Sequence, residues 1–161
     1  MSVGHRITSD DQLARLLQIG IVLEEVVEAR AYHHYQSLDD ELDDEIEELL
    51  DHAAEESAEH RERLEGLIED LSVESVPFEE VETLVEARYG RTQPTDFDGV
   101  LYDALCNEET AYKFYDDLIE AVEDSDAEFS IDRAELLDTL KEIRSEEADG
   151  VEEVAQIMED M

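Results

Sequence analysis

The chain has 161 residues, enough for one domain with a buried core, and 42% of them are hydrophobic. Acidic residues number 49 against 11 basic ones, a formal net charge of −38, which repels nucleic acid and anionic lipid because both need cationic groups to replace their counterions. The single cysteine, Cys106, excludes an internal disulfide and a metal centre held by several cysteines, and the longest apolar run, Ile19 to Leu23, falls far short of the ~20 residues of a membrane span.

Residues 1–8 read as a flexible terminus without the apolar stretch of a secretory signal. From about Asp10 to Ser37 apolar residues recur three and four apart, the period of an amphipathic helix, with Ser9 and Gln12 at capping-box spacing. A second helix is predicted from about Asp40 to Leu71, along a core line of Ile46, Leu49, Ala53, His60, Leu64, Leu67 and Leu71. Pro77, Gly90 and Pro94 punctuate the stretch 72–94, which reads as a crossover holding a short helix from about Phe78 to Tyr89. The third long helix, about Thr95 to Val122, lines up Leu101, Ala104, Glu108, Tyr112, Tyr115 and Ile119; Cys106 there reads as a small buried hydrophobe. The fourth starts after Ser130, a candidate N-cap, and follows Leu136, Leu140, Ile143, Glu147, Gly150, Val154 and Ile157.

No stretch alternates with period two for long enough to make a strand, so the class is all-α. At 1.5 Å per residue the helices are about 40 Å long, the size of a four-helix bundle. Short connections make the first and second, and the third and fourth, antiparallel hairpins. The crossover is long enough to travel the length of the bundle, and residues 1–161 form a single domain.

The chain also repeats itself. Glu28-Ala-Arg-Ala-Tyr-His-His-Tyr-Gln-Ser-Leu38 aligns with Glu108-Glu-Thr-Ala-Tyr-Lys-Phe-Tyr-Asp-Asp-Leu118 at an offset of 80. The second and fourth helices align at an offset of 90, Ile46 with Leu136 and Leu64 with Val154. Glu28 and Glu108 therefore occupy equivalent places on otherwise apolar faces, with Tyr35 and Tyr115 two turns along. A buried carboxylate is costly unless it neutralises, pairs or binds a metal. His60 and Glu147 stand on core lines where leucine would pack better. Three carboxylates and an imidazole at one level form a hard, oxygen-rich donor set that suits iron or manganese better than structural zinc.

These residues carry a resemblance along nearly the whole chain: the sequence resembles the ferritin-like superfamily, and within it the rubrerythrin-like branch. That resemblance implies one glutamate on each of two helices and a Glu-x-x-His on each of the other two. The lone glutamates fall on Glu28 and Glu108. The paired motifs fall on Ser57-x-x-His60 and Glu147-x-x-Gly150, each keeping one half. Glu56, four residues before His60, can compensate by bridging metals or shuttling protons. Tyr35 and Tyr115 either pack with their hydroxyls on carboxylates or take part in the redox step.

The resemblance further implies iron, two ions if the site is intact, with manganese as the other candidate. It implies ferrous oxidation or peroxide reduction, the latter fed by an external electron donor, and a homo-oligomer of two chains or more. Loss of half of each motif leaves a second reading open: a bundle with a structural or partner-binding role, holding one metal ion or none. The net charge has its own economical reading, self-repulsion screened by dense salt in a halophile's cytoplasm. A nucleic-acid mimic and a carboxylate sponge for divalent cations are the functional readings of the same charge.

Overall fold

The computed structural model describes residues 7–37, 44–71, 73 and 97–160. Four helices follow one another: α1 (Asp10–Ser37), α2 (Asp44–Glu69), α3 (Phe97–Glu123) and α4 (Arg133–Glu159). No strand occurs among the described residues, and the protein is an all-α four-helix bundle as its periodicity predicts. The short helix expected over 78–89 lies outside the described residues.

Local chemistry sets the helix starts. The Ser9 hydroxyl accepts from the Gln12 backbone N–H at 3.2 Å, half of a capping box. The other half is displaced by one residue, because Gln12 Oε1 accepts from the Thr8 N–H at 2.7 Å. At α4 the cap is Asp132, which accepts from the Ala134 N–H at 2.9 Å, and not Ser130. Ser130 instead donates its hydroxyl to Asp10 at 2.6 Å, tying the turn after α3 to the start of α1. Ile7, in the stretch expected to be flexible, is buried in that same junction and its carbonyl accepts from the Ser125 hydroxyl. Acidic residues in the first turns of α1 and α2 complement the positive helix ends.

Each hairpin is antiparallel, as the paired positions show. Arg61 of α2 reaches Glu28 of α1, while Leu64, further along α2, packs on Gly20, further back on α1. Likewise Glu108, Asp116 and Glu123 of α3 meet Gly150, Arg144 and Lys141 of α4. Gly20 permits close packing: a Cβ there would lie 3.1 Å from Leu64 and 3.2 Å from Phe114.

The core is divided. One apolar cluster holds Leu13, Leu17, Ile21, Leu64, Leu118, Leu136 and Ile143 among others. A smaller one, around Ala31, Leu49, Leu50, Leu101 and Val154, fills the other end. On every helix the residues between the two clusters are polar: Glu24 on α1, Ser57 and His60 on α2, Glu108 on α3 and Glu147 on α4, all buried. Burying apolar side chains at both ends supplies the stability that offsets this desolvated polar layer. Some expected buried positions differ: Ala53 and Ala104 are only half-buried. Tyr112 is 38% exposed, with Ala111 taking the inward place, and Cys106 is exposed.

Candidate metal centre

The polar layer converges on His60, whose ring is fully buried. Its Nδ1 lies 3.2 Å from Glu24 Oε1 and 3.1 Å from Glu147 Oε1. Its Nε2 lies 2.6 Å from Glu146 Oε2, and Arg63 holds that carboxylate at 3.2 Å and 3.5 Å. The fully buried Tyr115 hydroxyl donates to Glu24 Oε1 at 2.6 Å. Glu56 lies at the outer side, 3.8 Å from His60 Nε2 and 3.5 Å from His52 Nδ1. A surface pocket of about 270 Å³ between α2 and α4 begins there, lined by His52, Glu55, Glu56, Glu59, Glu146 and Asp149.

Crowding acids in a dry layer changes their protonation. Burial, then the charge of Glu24 and a hydrogen bond with Glu108, pushes Glu147 well above the carboxylate range. Burial also raises Glu108; its hydrogen bond with Glu147 opposes that, and the charge of Glu24 adds to it. For Glu56, burial and then the charge of Glu108 raise the pKa to about 7. His60 is raised as well: burial alone would lower it, but the hydrogen bond and charge of Glu24, with Glu146 and Glu56, prevail. Tyr115 is pushed well above its ordinary range by burial and by Glu24, so its hydroxyl stays a donor.

The donor set fits a hard divalent ion. One atom each from Glu24, His60 and Glu147 lie within 4.8 Å of one another. An ion at about 2.0–2.2 Å from each donor spans little less than that. Three buried carboxylate oxygens, Glu24 Oε2, Glu108 Oε2 and Glu56 Oε1, have no hydrogen-bond partner among the described residues. Such orphaned oxygens are costly to keep, at about 1–3 kcal/mol each, and a cation would satisfy them. One imidazole among several carboxylates favours iron or manganese over the sulfur- and nitrogen-rich sites of structural zinc.

His60, Glu108, Glu147 and Tyr115 thus meet in one layer, with Glu56 at its edge. Glu28 does not join them. Its carboxylate is 35% exposed and paired with Arg61 at 2.8 Å, while Glu24, one turn earlier and 1% exposed, points into the layer. Residues four apart share a helix face, so periodicity alone cannot tell these two glutamates apart. The available signal was Glu24 at the end of the longest apolar run, where a carboxylate is least able to reach water. The Tyr35 side chain lies outside the described residues.

Against known proteins, the sequence profile of the rubrerythrin family matches residues 25–135. The match takes in the C-terminal part of α1, all of α2 and α3 and the first residues of α4; Glu24 precedes it, and Glu147 and Gly150 follow it. No curated protein and no solved structure matches the chain significantly.

Proposed function

The chain belongs to the rubrerythrin family, and on that premise we propose that it is a ferritin-like non-haem iron protein, a di-iron carboxylate oxidoreductase. Its centre is Glu24, His60, Glu108 and Glu147, completed by Glu56. The observation that carries this reading is the buried Glu24–His60–Glu147 cluster with its orphaned carboxylate oxygens. Four carboxylates balance two divalent ions, and the carboxylate-lined pocket beside Glu56 concentrates cations. The reaction is oxidation of ferrous iron coupled to reduction of dioxygen or peroxide. With peroxide the balance is two electrons and two protons for two waters, and iron held by these residues would supply the electrons.

Iron held in the layer supplies one-electron redox chemistry. The chain's own groups do the rest. Tyr115 fixes Glu24 through its hydroxyl. Glu146, anchored by Arg63, takes the Nε2–H of His60 and so leaves Nδ1 facing the carboxylates. Glu56, with its pKa near neutrality at the pocket wall, passes protons inward. The apolar clusters on both sides keep water out of the layer. An external electron donor and assembly into a homo-oligomer, with iron or manganese as the metal, belong to the same proposal.

A specific pair of positions favours the second reading, a structural bundle with one ion or none. Ser57 and Gly150, both buried, offer no strong ligand where two further donors belong. Anaerobic ferrous titration of protein purified in high salt, then exposure to air or peroxide, separates the two. About two irons per chain with an oxidation-dependent near-ultraviolet band supports the oxidoreductase. No tight iron, or one redox-silent ion, supports the structural bundle.

A further inference from the structure

Gly150 is buried in the middle of α4, where a glycine weakens a helix relative to alanine. No backbone requirement accounts for it, since no glycine among the described residues has a positive φ. The carboxylate of Glu108 fills the space its side chain would take. A Cβ on Gly150 would lie 2.7 Å from Glu108 Oε2, 2.8 Å from Cδ and 3.2 Å from Oε1. Glu108 reaches this spot from α3, is 9% exposed, and its Oε2 has no hydrogen-bond partner among the described residues. Gly66 on α2 is the natural contrast, because a Cβ there meets nothing within 4 Å.

We propose that Gly150 is a positioning residue: its bare backbone admits the Glu108 carboxylate against α4, where Glu108 supplies the donor that α4 lacks one turn beyond Glu147. In the repeat of α2 by α4, Gly150 stands in the register of His60. The α3 carboxylate thus occupies the space a side chain on α4 would take, and the centre stays a one-imidazole site suited to a hard divalent ion. The inference rests on the metal reading above and concerns how the donor set is completed.

The test is anaerobic cobalt(II) titration of the full chain in high salt, followed by visible absorption, with thermal unfolding of each metal-free variant. Gly150→Ala is expected to weaken cobalt binding by about 10–100-fold and to change the band shape, the range for losing a group that orients a ligand. Gly66→Ala is expected to bind as the parent does. Glu108→Ala weakens binding too, and the double variant is expected to be no weaker than Glu108→Ala, because both changes remove one donor. If Gly150→Ala alone does not fold, the double variant carries the test: equality with Glu108→Ala supports the proposal and a further loss overturns it. Gly150→Ala with the parent's affinity and spectrum overturns it outright. A parent that takes up no cobalt overturns the metal reading, and this inference with it.

Discussion

The His60 imidazole on α2 lies 3.1 Å through Nδ1 from the Glu147 carboxylate on α4, and both side chains are almost wholly buried. Glu24 approaches the same nitrogen from α1 at 3.2 Å. Neither carboxylate has water as an alternative partner, so a proton or a cation must hold the three groups together. The metal-free protein uses protons, and a metal ion would take their place.

Tyr115 ties α3 to that layer through its bond to Glu24. Tyr115→Phe keeps the ring's volume and removes only the donor. It is expected to cost about 1–3 kcal/mol in denaturant unfolding and to weaken ferrous binding by about tenfold. Unchanged values for both would mean that the hydroxyl does not position Glu24.

Protonation gives the metal-free protein a stability that falls as pH rises. The Glu56 pKa is about 7 in the folded chain against 4.5 ordinarily, so the folded state holds a proton that the unfolded state releases. That contribution is complete below about pH 4.5 and is lost as pH rises through about 7. His60, also raised, works in the same direction: its contribution is complete below its ordinary 6.5 and lost through its higher folded value. Urea midpoints at constant high salt are expected to fall between about pH 5 and about pH 8. Glu56→Gln is expected to flatten the fall, and a midpoint that rises over this range contradicts the assignment.

The net charge of −38 carries its own expectation. Raising salt from about 0.1 M to about 1 M shortens the Debye length from about 10 Å to about 3 Å and relieves self-repulsion. The thermal midpoint of the metal-free protein is expected to rise across that range. A midpoint indifferent to salt would remove the salt-adaptation reading of its composition.

Much of the fold was legible because periodicity reports burial. The seven positions predicted to line the fourth helix, from Leu136 to Ile157, are all buried in α4. Details within one turn were not. Asp132 caps α4 where Ser130 was expected, because Ser130 is engaged by Asp10 on another helix. Glu24 and Glu28 share a face of α1, and partners on other helices separate them: Arg61 on α2 pairs with Glu28 near the surface, while His60 and Tyr115 hold Glu24 in the layer. The fit of Glu108 over Gly150 joins two helices and leaves no local mark in either stretch of sequence.

The central claim is tested most directly by the iron bound per chain in Glu24→Gln and Glu28→Gln beside the parent, by elemental analysis after anaerobic ferrous loading. Both substitutions keep side-chain volume, and Glu28→Gln loses only a half-exposed ion pair worth about 0–1 kcal/mol. The expected result is iron lost from Glu24→Gln and retained by Glu28→Gln. Iron retained by Glu24→Gln at the parent's affinity would contradict a centre built on Glu24, His60 and Glu147.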